Sequence, residues 1–165
     1  MTDPIDVEKC LVQMAQALRE YVPRNPLMIG VHTGGAWIAQ RLHAMLALPE
    51  PLGTLDISFY RDDFTRVGVN PQVKASNLPA SIEDRHVLLI DDVLHTGRTI
   101  RAALNEIFDY GRPKSVTLAV LIDRNGRELP IEPAVVGARL RLADRQHVKL
   151  TGPDPLALTV QESRA

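Results

Sequence analysis

The sequence predicts an α/β protein with a mainly parallel central sheet flanked by helices. Short apolar runs that suit strands alternate along the chain with segments whose apolar residues recur at helical spacing. The two longest strand-like runs, 87–90 and 116–122, are almost entirely apolar. Such runs suit strands that are covered on both faces, as the strands of parallel sheets are.

The first half of the chain predicts helix, strand, helix and strand. Apolar spacing indicates an amphipathic helix over residues 6–21, with Asp6 as its N-cap and Pro23 beyond its end. The apolar run 27–31 predicts a buried strand, and residues 36–46 again show helical spacing. Residues 55–60 alternate enough for a second strand. The polar stretch 61–81 predicts a long loop, which in a compact domain is commonly a functional lid.

The rest of the chain continues the alternation. Residues 86–91 predict a strand, residues 99–110 a helix that Gly111 closes, and residues 115–122 another strand. Three weaker patterns, at 134–140, 148–150 and 156–160, predict strands in the tail. Ligands of such sheets bind beyond the carboxyl ends of the strands. The turns after Val31, Ile90 and Ile122 are therefore the candidate site.

Composition narrows the class of protein. The 165 residues predict a single domain, and 45% hydrophobic with 24% charged residues is ordinary for a globular protein. The net charge of −1 argues against a chain dominated by nucleic-acid electrostatics, and no apolar run is long enough to cross a membrane. The acidic N-terminal stretch does not resemble a secretory signal. The single cysteine, Cys10, cannot form an internal disulfide, so we expect a cytoplasmic protein.

The run from Val87 to Thr99 carries the strongest chemical signal. A buried strand leads into Asp91 and Asp92 and then into a glycine-containing turn at the start of a helix. Backbone N–H groups at such a turn favour a phosphate, while carboxylates suit ribose hydroxyls or Mg²⁺. The chain contains neither the usual nucleoside triphosphate loop nor the dinucleotide loop. The alternative is ordinary helix capping by Asp and Thr side chains.

The same run resembles the phosphoribosyl-pyrophosphate (PRPP) motif of type I phosphoribosyltransferases. From Asp91 it reads Asp-Asp-Val-Leu-His-Thr-Gly-Arg-Thr. Stretches 56–63, 111–113 and 121–124 with 127–131 are similar to the PyrR family, whose members regulate pyrimidine genes and act as uracil phosphoribosyltransferases. The resemblance implies one phosphoribosyltransferase domain over residues 1–165, with the type I fold, a flexible lid loop at about 60–81 and a small hood. It also implies transfer of ribose 5-phosphate from PRPP to uracil, giving UMP and pyrophosphate.

The resemblance also implies roles for particular residues. Asp91 and Asp92 would bind the ribose hydroxyls, and Arg61 would close over pyrophosphate. Mg²⁺ would be held mainly through PRPP rather than by a protein metal site. The remaining implied contacts are Thr33, Gly34 and Gly35 to pyrophosphate; Val93, Leu94, His95, Thr96, Gly97, Arg98 and Thr99 to the 5′-phosphate; and Asp123, Arg124 and Val148 to the base.

Five positions depart from the family pattern. Gly34 stands where active relatives commonly have arginine, and Asn125-Gly126 replaces Gly-His in the base loop. Both changes predict weaker turnover. Glu132 and Ala138 stand where RNA-binding members carry basic residues, which disfavours binding to leader RNA. Pyrimidine-operon leader RNA or a protein partner, and a homodimer, remain implied partners. The alternatives are a UMP/PRPP sensor with little or no catalysis and a purine phosphoribosyltransferase.

Overall fold

The computed structural model describes residues 4–57 and 76–163 of the chain. Helix α1 spans Val7–Leu18 and continues into a 3-10 helix over Arg19–Arg24. Helices α2 and α3 span Gly34–Leu46 and Arg98–Tyr110. The strands are β1 Leu27–Val31, β2 Gly53–Leu55, β3 His86–Leu94, β4 Ser115–Arg124, β5 Val135–Leu140, β6 Gln146–Thr151 and β7 Ala157–Glu162.

Strands β1 to β5 form one parallel sheet in the order β2-β1-β3-β4-β5. Leu27 pairs with Val87, and Val87 pairs with Val116, so the central strands are in register. This arrangement confirms the predicted parallel α/β sheet. The carboxyl ends of β1, β3 and β4, three neighbouring strands, lie along the same edge.

Both faces of the sheet are buried, because β3 and β4 send alternate side chains into two apolar clusters. Leu88, Ile90 and Leu121 pack against α1 and α2, and Cys10 and Met14 belong to this cluster, as the helical spacing predicts. Val87, Leu89 and other side chains on the opposite face pack against α3. The sequence shows an unbroken apolar run in β3 because neither face meets water.

Helix α1 begins where the sequence places its cap. The Asp6 side chain accepts a hydrogen bond from the Lys9 backbone N–H at 3.1 Å, and Asp6 itself has an extended backbone. One of the unpaired N–H groups of the first turn is thereby satisfied. The regular helix ends at Leu18, earlier than the predicted residue 21, because the chain tightens into the 3-10 helix before Pro23.

The second strand was predicted in the wrong place. The structure has β2 at Gly53–Leu55, where Thr54 is bridged to Asn77, and residues 56 and 57 are not in a strand. The short strand pairs with the end of β1, which no local pattern reveals. Residues 58–75, which include the last three residues of the predicted strand and most of the predicted lid loop, lie outside the described residues. Strand β3 runs beyond the predicted residue 91, because Val93 and Leu94 continue to pair with β4.

Strands β6 and β7 form a separate antiparallel hairpin, which we call the hood. The buried side chains of Val148, Leu150 and Leu156 join the cluster that contains α1 and α2. Gly152 lies against the Trp37 ring, and a β-carbon at Gly152 would be 3.1 Å from it. Across residues 4–57 and 76–163, no helix has both the length and the apolar character needed to span a membrane.

Candidate functional site

Three chain segments meet at the carboxyl edge of the sheet. After β1 the chain turns through Thr33 into Gly34 and Gly35, the first two residues of α2, and this stretch is called the turn after β1 below. Asp91 and Asp92 lie in the last part of β3. Residues 123–128, which we call the base loop, begin in the last two residues of β4. Because β1, β3 and β4 are neighbours in this order, the acidic pair lies between the other two groups.

The acidic pair is held by its own backbone. Asp91 is 4% exposed, and its Oδ1 accepts a hydrogen bond from the Asp92 backbone N–H at 2.8 Å. Asp92 is only partly buried, and its Oδ1 accepts from the Val93 backbone N–H, also at 2.8 Å. Each carboxylate therefore has a fixed position at the strand end.

The turn after β1 passes very close to the acidic pair. A β-carbon at Gly34 would overlap Oδ2 of Asp92 and would lie 2.7 Å from its Cγ. A β-carbon at Gly35 would lie 2.7 Å from the Ile90 carbonyl oxygen, so this position is closed by backbone. In this conformation a side chain at position 34 requires Asp92 to move. Gly34 stands where active relatives commonly have arginine. In this structure the Asp92 carboxylate occupies the space that a side chain at position 34 would need.

The turn between β3 and α3, residues 95–97, leads directly into a helix N-terminus, where backbone N–H groups favour an anion. Gly97 has φ +96°, a left-handed conformation that glycine adopts without steric cost, and it immediately precedes α3. Thr96 Oγ1 accepts a hydrogen bond from the Arg98 N–H at 3.1 Å. Leu94 is buried, so only its backbone faces the turn, and Thr99 lies exposed in the first turn of α3. This turn with Arg98 and Thr99 is referred to below as the phosphate loop.

The base loop is tied to its surroundings by side-chain to backbone hydrogen bonds. Arg124 is 6% exposed, and its guanidinium donates to the carbonyls of Asn125 at 3.1 Å and Gln146 at 2.8 Å. Asn125 exchanges two hydrogen bonds with the Leu142 backbone, at 2.7 and 3.0 Å. Val148 lies in β6, two residues beyond Gln146, with its side chain in the core.

Arg127 joins the base loop to the phosphate loop, a contact that the sequence did not reveal. Its Nη2 donates to Asp123 Oδ1 and its Nη1 donates to the His95 carbonyl, both at 2.6 Å. Asp123 is therefore paired with a cation, and Arg139 approaches its other oxygen at 3.8 Å. The contact with His95 spans 32 positions of sequence, so no local pattern could have indicated it.

The His95 ring lies over Gly126. A β-carbon at Gly126 would be 2.7 Å from His95 Nε2, and Gly126 has φ +110°. Partial burial lowers the pKa of His95, the neighbouring guanidinium groups of Arg124 and Arg127 lower it further, and Glu128 opposes the shift. His95 is therefore predominantly neutral at neutral pH.

Two further predictions concern Arg61 and Mg²⁺. Arg61 lies outside the described residues. Within residues 4–57 and 76–163, no group of three or more histidine, cysteine or carboxylate side chains could hold a metal ion. The two carboxylates at the end of β3 would be too few to hold Mg²⁺ alone, and they suit an ion that brings further oxygen ligands with it.

Known proteins that are similar in sequence are phosphoribosyltransferases and proteins named PyrR. The family model described as the phosphoribosyl transferase domain matches residues 7–150. "Bifunctional protein PyrR" of Nitrosococcus oceani is 60% identical over 148 residues, covering 88% of this chain and 84% of that protein. The protein of the same name in Pseudomonas entomophila is 59% identical over 154 residues, covering 91% and 90%.

Solved structures show the same fold. Purine phosphoribosyltransferase from Pyrococcus horikoshii superimposes with a TM-score of 0.61 at 27% identity, covering 82% of each chain. Hypoxanthine phosphoribosyltransferase from Trypanosoma cruzi gives a TM-score of 0.65 at 23% identity, covering 86% of this chain and 79% of that one. At 23% identity, the similarity to the Trypanosoma cruzi enzyme shows the fold alone.

Proposed function

The chain belongs to the phosphoribosyltransferase family and to its PyrR branch, and from that premise we propose that it is a uracil phosphoribosyltransferase. It converts uracil and PRPP to UMP and pyrophosphate, and it acts as a UMP- and PRPP-responsive regulator of pyrimidine biosynthesis genes. The observation that carries the proposal is the acidic pair at the end of β3, between a glycine turn and a base loop. A phosphorylated pentose with a leaving group on one side and a base on the other matches that order.

The reaction needs positioning more than covalent chemistry. Positive charge would develop at the anomeric carbon of the ribose as pyrophosphate leaves, and Asp91 and Asp92 would hold the ribose hydroxyls beside it. The N–H groups of the phosphate loop would hold the 5′-phosphate. The turn from Thr33 to Gly35 would receive pyrophosphate, with Arg61 as the cation that closes over it.

The base would lie at the carboxyl end of β4. Uracil requires donors for O2 and O4 and an acceptor for N3–H, and backbone groups of the base loop, with Asp123, Arg124 and Val148, are the candidates. Arg124 already donates to two carbonyls, so its main contribution would be to fix the loop. Mg²⁺ would enter with PRPP and neutralise charge on the departing pyrophosphate.

The experiment is an assay of the purified protein with uracil, PRPP and Mg²⁺, with hypoxanthine as the control base. We expect UMP formation that requires uracil and Mg²⁺. Faster turnover of hypoxanthine would contradict the assignment and favour a purine enzyme. Absence of any UMP would also contradict it.

A second candidate is a sensor that binds UMP or PRPP with little or no catalysis and no strong RNA binding. The glycine at position 34 favours it, because the turn then offers no guanidinium to pyrophosphate. Binding of UMP without turnover in the same assay would support the sensor.

Regulation would act through leader RNA of pyrimidine operons or through a protein partner. Glu132, which faces the same open hollow as Arg127 and Arg139, weakens the RNA route. We further propose a single domain over residues 1–165, a homodimer and a cytoplasmic location. Binding of such a leader RNA, measured at several salt concentrations, would test the RNA proposal. The molar mass in solution, measured by light scattering, would test the dimer proposal.

A further inference from the structure

The segment Arg127–Ile131 lies directly on the phosphate loop. The N–H groups of Glu128 and Leu129 both donate to the Thr96 carbonyl, at 2.9 and 3.0 Å. Gly97 packs against the side chain of Leu129 closely enough that a β-carbon there would be 3.3 Å from Leu129 Cβ. The phosphate loop therefore rests on a second chain segment at Thr96 and Gly97.

Arg127 provides the charged part of this contact. One guanidinium nitrogen holds the His95 carbonyl and the other holds Asp123, each at 2.6 Å. The side chains of Arg127 and Asp123 are 25% and 15% exposed, so water competes with the pair only in part. The planar fork of arginine is required to reach both acceptors at once.

These hydrogen bonds fix the direction of two peptide planes. The carbonyls of His95 and Thr96 point toward the segment 127–129, and in a trans peptide the N–H points the opposite way. The N–H groups of Thr96 and Gly97 are consequently turned away from that segment. A row of N–H groups that is oriented before binding is what an anion site needs, because no reorientation is required when the anion arrives.

We propose that Arg127 is a positioning residue that orients the phosphate loop for a phosphate monoester and couples it to Asp123 at the base end of the site. Arg127 acts through the His95 carbonyl and touches neither substrate. The inference rests on the proposed function for the identity of the ligand, a ribose 5-phosphate group. It goes beyond that function by assigning the binding geometry of the phosphate loop to a residue of the base loop.

The test compares Arg127→Lys with a matched control, Arg41→Lys. Arg41 forms a similar two-pronged ion pair with Glu8, at 2.9 and 2.6 Å, which involves none of the loops of the candidate site. Lysine at 127 can hold Asp123 or the His95 carbonyl but not both. We expect Arg127→Lys to weaken ribose 5-phosphate binding and to raise the KM for PRPP by about tenfold, while the KM for uracil changes less.

Calorimetric titration with ribose 5-phosphate gives the binding constants, and thermal melts of each variant separate folding from binding. Arg41→Lys should bind like the wild type. Ribose 5-phosphate binding by Arg127→Lys within twofold of the wild type, or an equal loss in Arg41→Lys, would overturn the inference. The binding comparison decides this point even if the wild type makes no UMP, a result that would count against the proposed enzyme alone.

Discussion

Asp92 shows how a single carboxylate combines a structural and a chemical requirement. Its Oδ1 accepts the Val93 N–H, while Oδ2 faces Gly34. The first contact needs only an oxygen acceptor. The proposed contact with ribose and the developing cation needs a negative charge, so the two requirements can be separated by substitution.

Asp92→Asn should abolish turnover and leave the fold intact. Asparagine is nearly the same size and retains an oxygen for the Val93 N–H, but it removes the charge next to the anomeric carbon. We expect the rate of UMP formation to fall by about 100-fold or more, with the melting temperature within about 2 °C of the wild type. Unchanged activity in this variant would rule out the proposed role.

His95 should make stability depend on pH in a specific direction. Its pKa in the folded protein is lowered from 6.5, so the unfolded chain binds the extra proton more readily. The contribution of His95 to stability is therefore complete above about pH 6.5 and is lost as the pH falls through that value toward the folded pKa. The charged groups that face His95 are Arg124, Arg127 and Glu128.

Thermal melts of the wild type and His95→Asn between pH 7.5 and pH 5 provide the measurement. The melting temperature of the wild type should fall more than that of the variant over this range, because only the wild type carries the group with the lowered pKa. Parallel curves for the two proteins would contradict the assignment.

At the scale of elements, Asn125 connects the base loop to the segment between β5 and β6. The side chain pairs with both backbone groups of Leu142 and so joins the end of β4 to the chain that leads into β6. The Asn125 side chain thus makes the two hydrogen bonds to Leu142 that a paired residue of a neighbouring strand would make. This pairing also explains why asparagine suits this position, since its amide offers both a donor group and an acceptor oxygen.

Asn125→Ala should lower the free energy of unfolding by about 1–2 kcal/mol, because both Leu142 groups lose their partner. Asn105→Ala is the matched control, as Asn105 is exposed on α3, where alanine favours the helix. Urea denaturation measures both. A loss in Asn105→Ala as large as that in Asn125→Ala would mean that the Leu142 pairing is not the cause.

The elements differ in how far the sequence predicts them. Strands β1, β3 and β4 were predicted because their short apolar runs are almost continuous, as strands buried on both faces require. The hydroxyl- and glycine-containing turn after β3 indicated the candidate phosphate site. The prediction misplaced strand β2 because a strand of three residues is too short to show alternating hydrophobicity. Its position is set by pairing with β1 and by the bridge from Thr54 to Asn77. The Arg127 contact was missed because it depends on the register of β3 against β4.

For the whole molecule, the candidate site predicts how ligands stabilise the fold. We expect UMP to bind only the folded state, so at 100 times its Kd it should add about 2.7 kcal/mol of stability. For a chain of this size that corresponds to a rise in melting temperature of roughly 5–10 °C. Uridine, which lacks the phosphate, should give a much smaller rise in a thermal shift assay. Equal shifts for UMP and uridine would contradict a phosphate site at residues 95–99.

The pairing of Leu27 with Val87, and of Val87 with Val116, has a kinetic consequence. Each rung of this sheet joins positions that are far apart along the chain, so long loops must close before any rung is formed, and their entropy opposes the early steps. The residues proposed to bind ribose and base lie on β3 and β4, which are brought together only when these loops close. A refolding chain would therefore acquire its ligand affinity late, as a property of the completed sheet and not of any local fragment.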